Sequence, residues 1–419
     1  MVRILVVLAS IAFALVPMSR VVDATEIADG HNVIINLDIA YVDVSGYPSW
    51  TTGSVGKLRH GDDGLVMNRM FIDYSGRLTD TLNAHVVLEA YDDDLGDAID
   101  FTQAYVEWRP VPKSATRYRL KIGAFYPKIS LENVDPAWSS PYTQNFSAIN
   151  TWIAEEIRTF GAELSMSRRP VSLGGAHAFT VDVATFWGND PAGSLLAWKG
   201  WSVHDRQTRF GDKLPLPPLP QIQPGMMFED QDPYVEPFVE IDNRAGYYVT
   251  ADWRYSKQFL LRVGHYDNRA DPEKEAGGQY AWATKFEHLG LQVTLPGEIG
   301  LIAQWMFGSS VMGYEVNGVH AVDTEFDSQF ALLTRSFDKH RLSVRYDHFE
   351  VTQNDQTPED NNPEAGHAWT LGYQFGLSKK VSLAAEWLSI KTHRCANVYY
   401  GLPQTVTETQ LQLLIKLRL

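Results

Sequence analysis

Three cations at alternate positions, Arg117, Arg119 and Lys121, are the residues of this sequence best arranged for chemistry. On an extended chain alternate side chains share a face, so the three stand about 7 Å apart in a row. Such a row can pass an anion from site to site, and it can equally pair with carboxylates on neighbouring strands and stiffen a wall. Covalent and acid–base chemistry finds less to work with. There is no His-Glu-x-x-His, no Gly-x-Ser-x-Gly, no Walker loop and no Cys/His spacing that fits a metal. The twelve histidines are scattered, and carboxylate pairs in a chain with 51 acids discriminate nothing. The expectation is no enzyme, no cofactor and no metal.

The stretch around the ladder is a strand with two unlike faces. Tyr118, Leu120, Ile122 and Ala124 alternate with Arg117, Arg119, Lys121 and Gly123. The last thirteen residues repeat the pattern. Thr407, Thr409, Leu411, Leu413, Ile415, Leu417 and Leu419 form one face; Glu408, Gln410, Gln412, Leu414, Lys416 and Arg418 form the other. Similar alternation runs through Val33–Tyr41, Tyr247–Tyr255 and Arg341–Asp347, and about sixteen such segments cover the chain. Residues 280–293 fit less well, because apolar parity changes near His288; a β-bulge or two shorter elements would explain it.

Connection lengths alternate as well. Long stretches (46–64, 126–157, 188–246, 268–279, 309–324, 351–366, 392–404) alternate with turns of a few residues, and 92–97 is the one short exception. A soluble sandwich has no reason to sort its loops this way. The fold expected is all-β: a transmembrane antiparallel up-and-down barrel with short periplasmic turns and long extracellular loops, closed by pairing the last strand with Val33–Tyr41. No segment past the N-terminus has the run of about 18 apolar residues that a membrane helix needs.

Composition bounds the remainder. The formal charge of −15 argues against a nucleic-acid partner, and Cys395, the single cysteine, allows no internal disulfide. Residues 1–24 read as a cleaved signal peptide, with Arg3, an apolar Ile4–Val16 and a Val22-Asp23-Ala24 cleavage site. That leaves 25–419 as the barrel and places it in the outer membrane of a Gram-negative envelope. Tyr91, Trp108, Trp187, Trp253, Tyr255, Tyr266, Trp282 and Trp387, near strand ends, read as an interfacial girdle.

Strand parity points Arg117, Arg119, Lys121, Arg254, Arg262, Lys285, Arg335, Arg341, Arg345, Lys416 and Arg418 into the lumen, opposed by acids such as Glu163, Asp182, Asp252, Glu287, Asp347 and Glu386. Within 126–157, Lys128, Glu132, Asp135, Glu155 and Glu156 would line a constriction if that loop folds inward. The Pro-rich 188–246 loop reads as a stiff cover over the mouth. Asp92–Asp94 reads as a solvated acidic run.

The run Ile122-Gly123-Ala124-Phe125-Tyr126-Pro127-Lys128-Ile129-Ser130-Leu131-Glu132-Asn133, with Thr159-Phe160-Gly161-Ala162-Glu163 downstream, resembles the phosphate-selective porin O/P family. The resemblance implies a sixteen-stranded barrel, a homotrimer and a third loop that narrows the pore. It departs in ending on Leu419, where such barrels usually end on Phe, and in the long Pro-rich loop, so phosphate specificity is not carried over. The expected function is a passive diffusion channel for small hydrophilic solutes with an anion preference. Its partners would be outer-membrane lipid, lipopolysaccharide and, through the terminal strand, the barrel-assembly machinery. The alternatives are a plugged structural or adhesive barrel and, third, a lipid-modifying enzyme.

Overall fold

The computed structural model describes residues 25–28, 30–93, 95–168 and 176–419. The signal-peptide reading of 1–24 lies outside the described residues, as do Asp94 and Arg169, the latter also expected by parity to face the lumen. Sixteen antiparallel strands form the wall: β1 His31–Ser45, β2 Gly64–Arg77, β3 Leu82–Ala90, β4 Asp100–Trp108, β5 Thr116–Phe125, β6 Thr159–Arg168, β7 His177–Trp187 and β8 Gly246–Tyr255, then β9 Phe259–Asp267, β10 Ala283–Leu295, β11 Ile299–Val316, β12 Val319–Phe337, β13 His340–Gln353, β14 Glu364–Gly376, β15 Val381–Arg394 and β16 Thr405–Arg418. Each pairs with the next, and β16 returns to β1, with Arg418 opposite Asn36 and Thr409 opposite Ser45. The Leu419 N–H donates to the Ile35 carbonyl at 2.7 Å, so the wall is bonded to the last residue. Closure removes both sheet edges. A short strand, Thr25–Ala28, adds to the turn end of β1.

The outward face is apolar, as the alternation requires: Ile122, Leu164, Val183, Leu289, Leu333, Leu342 and Leu371 are all exposed. Trp108, Trp187, Trp253, Tyr255 and Trp387 share that exposure and suit a membrane interface. Tyr91, Tyr266 and Trp282 do not. They are buried at the loop end, so these three leave the expected girdle.

Two expectations about the strands change. Residues 309–324 are not a loop. β11 and β12 run on to a two-residue turn at Asn317-Gly318, both at positive φ (56° and 86°), the geometry of a type I′ hairpin. The parity change near His288 is not a bulge either. β10 keeps an unbroken register with β9 and β11; Leu289, Leu291 and Val293 point outward, while Phe286 and His288 point inward and are buried. Both faces are apolar near Phe286 because the lumen is filled there. By the same parity Lys285, Glu287 and Arg335 face outward and leave the expected lumen set.

The filling comes from two loops. Loop 3 (126–158) carries helix α1, Ala148–Glu156, capped by Ser147, whose Oγ accepts the Asn150 N–H at 3.3 Å. Loop 4 (188–245) carries the short helix α2, Ser194–Trp198. Every residue of both helices is buried, although each is too short to be stable alone. They are held by a core inside the barrel. Ile149, Trp152, Ile153, Leu196, Trp201 and Val203 from the loops meet Phe186, Phe286, Met306, Phe326, Phe349 and Leu388 from the wall. Trp152 sits edge-on to Phe286 and Phe326, with ring centroids 5.4 and 5.1 Å away.

Candidate functional site: the lumen

The lumen divides into a filled loop-side half and an open turn-side half. The open half is a vestibule of about 1110 Å³, roofed by residues 126–138 of loop 3 and walled mainly by β2–β9. Arg109, Arg117, Arg119, Lys121, Lys128, Arg254 and Arg262 line it, against Asp73, Asp135, Glu163 and Asp252. Seven lining cations face these four acids, and Glu107 and Asp182 pair with Arg109, Arg119 and Lys128 from just behind, so the wall keeps a net excess of one positive charge although the whole chain is acidic.

The cations differ in how far they are free. Arg119 is shared among Glu107, Glu163 and Asp182, its guanidinium 3.1 Å from Glu163 Oε1. Lys121 Nζ lies 3.2 Å from Glu163 and over the Phe125 ring. Lys128, where loop 3 leaves β5, bridges Asp182 (2.6 Å) and Asp252 (3.0 Å). Arg262 holds Asp252 through two bonds of 2.8 and 3.0 Å and donates to the Ser130 carbonyl. Arg117 and Arg254 make no ion pair or side-chain hydrogen bond among the described residues. Of the ladder, then, Arg117 alone presents to the vestibule a charge uncommitted among the described residues. Arg254, two strands beyond β6, is its counterpart.

Other candidates anchor the loops. Arg345 on β13 is fully buried, pairs with Glu132 and Asp347, and donates to the carbonyls of Asn145 and Phe146. Arg341 donates to the Pro141 carbonyl and caps the Tyr142 ring. Glu132 also accepts from the Ser147 N–H and the Asn150 amide, which places the start of α1. The segment Ile122–Asn133 therefore does local work: it ends β5, then binds loop 3 to the wall through Lys128 and Glu132.

Glu155 and Glu156 do not border the vestibule; α1 carries them into the filled half. Burial would raise the Glu155 carboxyl, but the Lys199 ammonium and the His204 ring more than offset this and hold it at about 2. Among the described residues Glu156 has no cation beside it. Burial, with the Glu155 charge beside it, pushes it up to about 7 against the N–H groups of Leu195 and Leu196 at the start of α2. Asp135 lines the vestibule roof, as part of the turn that stacks Trp138 on Tyr126 at 4.0 Å. Lys416 and Arg418 border a separate crevice of about 120 Å³ between β16, β1 and loop 3, not the vestibule.

Several residues that matter here carry no sequence signal. Lys57 pairs with Glu364 at 2.7 Å, and Arg394 with the same carboxylate at 3.4 Å. Arg394 also donates to the carbonyls of Ala197 and Trp198 that end α2, tying loop 4 to β15. Asp93 is no solvated acid; it accepts from Arg206 of loop 4 at 2.7 Å and is held at about 2 by that guanidinium, against the effect of burial. Only the long-range fold brings these partners together.

A closed sixteen-stranded barrel with its third loop inside the lumen is the fold of the outer-membrane porins. Solved structures similar to this chain include the outer membrane channel DcaP of Acinetobacter baumannii, at TM-score 0.54 and 11% identity over 95% of this chain and 100% of that one. A loop L8 deletion mutant of OmpT, an outer membrane protein of Vibrio cholerae, matches at TM-score 0.52 and 11% identity, over 93% and 99%. An anion-selective porin from Comamonas acidovorans matches at TM-score 0.50 and 13% identity, again over 93% and 99%. No family model and no curated protein matches the sequence, so the likeness is one of fold.

Proposed function

We infer that this chain is an outer-membrane channel for small hydrophilic solutes with a preference for anions. The observation that carries the reading is the vestibule, an open basic chamber under a loop roof, with Arg117 and Arg254 uncommitted among the described residues. Rings of Arg and Lys favour anions in pores of this kind. Short turns on one side and long loops on the other orient the vestibule toward the periplasm. Export through a cleaved 1–24 leader, assembly recognition at the terminal strand and a homotrimer belong to the same reading. So does contact with lipopolysaccharide, whose phosphates divalent cations would bridge to the exposed carboxylates Glu287, Glu325 and Glu350.

Loops 3 and 4 fill the outer half, so solutes of appreciable size pass only when these loops yield. That filling also favours a second reading, a plugged barrel that serves as a structural or adhesive element. Planar-bilayer conductance of the full chain separates the two. Discrete openings with an anion-side reversal potential support the channel. Cation preference rejects the anion assignment, and a silent but inserted barrel supports the plug.

A further inference from the structure

The filled half is not uniformly apolar. On the inward face of β16, Gln412 leaves both amide atoms, and Gln410 its carbonyl oxygen, buried with no protein partner among the described residues. Opposite them on loop 3, Gln144 Oε1 and Asn145 Oδ1 are in the same position, as is Arg59 Nη2 of loop 1. Register and shared carboxylates link their residues. Gln412 is the cross-strand neighbour of Glu386, whose carboxylate accepts from the Asn145 amide at 2.7 Å. Gln144 Nε2 donates to Asp205 at 2.6 Å, and Arg59 Nη1 donates to the same carboxylate at 3.0 Å. Buried polar atoms are nearly always satisfied, and where protein supplies no partner, bound water does so.

The loop-3 end of this group borders a cavity. The 120 Å³ crevice that begins at Lys416 and Arg418 is lined at its inner end by Gln144 and Asp205. At the level of Leu414 the wall is apolar, packed on Ala40 and Val42, and the polar line passes on the loop-3 side. Beyond Gln410 comes Glu408, which accepts the backbone N–H groups of Tyr47 and Lys57 in loop 1. From Lys416 to Glu408 is roughly 27 Å of strand, which at a tilt of about 40° rises about 20 Å, most of the roughly 25 Å apolar height of an outer-membrane wall.

We propose that the seam between β16 and loop 3 holds a file of water and is the route by which water and water-sized uncharged solutes cross the barrel while loops 3 and 4 stay in place. The proposal rests on the channel reading and adds a path to it. The vestibule serves anions when the loops yield; the seam conducts without loop movement. Six amide and guanidinium atoms offer the donors and acceptors that water needs.

The test is stopped-flow osmotic shrinkage of proteoliposomes carrying the full chain, with water as the probe. Wild-type vesicles are expected to shrink several-fold faster than protein-free vesicles. Gln410→Leu with Gln412→Leu lines the seam with hydrocarbon and dewets it, and should remove about nine-tenths of the added permeability. Gln410→Ser with Gln412→Ser widens the seam and should raise it about twofold. A merely structural role for the two glutamines predicts that both variants change it alike. Heat-modifiable gel mobility verifies folding of each variant. The proposal is overturned if the Leu variant matches wild type, if both variants move in the same direction, or if wild type adds nothing to the lipid. Anion conductance recorded on the same preparations tells the two readings apart: if it persists while the seam variants have no effect, the seam falls and the channel stands.

Discussion

Arg345 Nη1 lies 2.6 Å from Glu132 Oε1, with both side chains fully removed from water. This pair joins the barrel wall to the loop in its lumen. Removing one partner of a buried pair strands the other charge and costs about 3–5 kcal/mol, far more than a surface pair is worth. Glu132→Ala is therefore expected to loosen loop 3 without unmaking the barrel. Strand content by circular dichroism should be unchanged, while residues 126–157 lose hydrogen-exchange protection and bilayer conductance rises. Unaltered protection of that loop would remove Glu132 from the anchoring role.

The reversal potential should separate free from committed cations. Arg117→Glu and Arg254→Glu reverse charges that no carboxylate neutralises among the described residues, and each should move the potential toward cation selectivity. Their combination should exceed either alone. Arg119→Gln should shift selectivity less and lower yield more, because it leaves Glu163 and Asp182 buried with a cation missing.

Glu156 gives loop 4 a pH dependence. Its folded value, about 7, lies above the ordinary 4.5, so the folded loop binds the proton more tightly than an unfolded one. Stability therefore falls as pH rises from about 4.5 to 7, and the full cost is present above 7. The difference corresponds to about 3 kcal/mol. Glu156→Gln removes it: protection of residues 189–209 should match wild type at pH 5 and exceed it at pH 8. His60 and His204, which burial holds neutral, oppose the trend below pH 6.5 but cancel between the two proteins. Equal protection at pH 8 would show the carboxylate to be solvated.

The proposed assembly role of β16 is open to test at Leu419. Leu419 is bonded to Ile35 through its backbone, so its side chain is free to vary without breaking the closing pair. Leu419→Phe should raise the fraction of folded, heat-modifiable barrel in the outer membrane. A drop in that fraction would mean that the assembly apparatus reads this end in another way.

What the sequence determined is the wall. The alternation at Arg117–Phe125 and Thr407–Leu419 follows from the pleat, which sends neighbours to opposite faces whatever surrounds them, so strand number, closure and most lumen cations were legible. It misled where the inner face was apolar too, as at Phe286, because period two needs one wet face to be visible. It also misled at Asn317-Gly318, where the turn signal was local and present but was read as part of a loop. What only the tertiary structure decided is the interior. Whether Arg117 is free and Arg119 bound, whether Glu155 is paired and Glu156 alone, depends on Lys199, Asp182 and α2, which lie far away in the chain. Charge pairing acts over a few ångströms in space, and sequence distance carries no information about it until the barrel has closed.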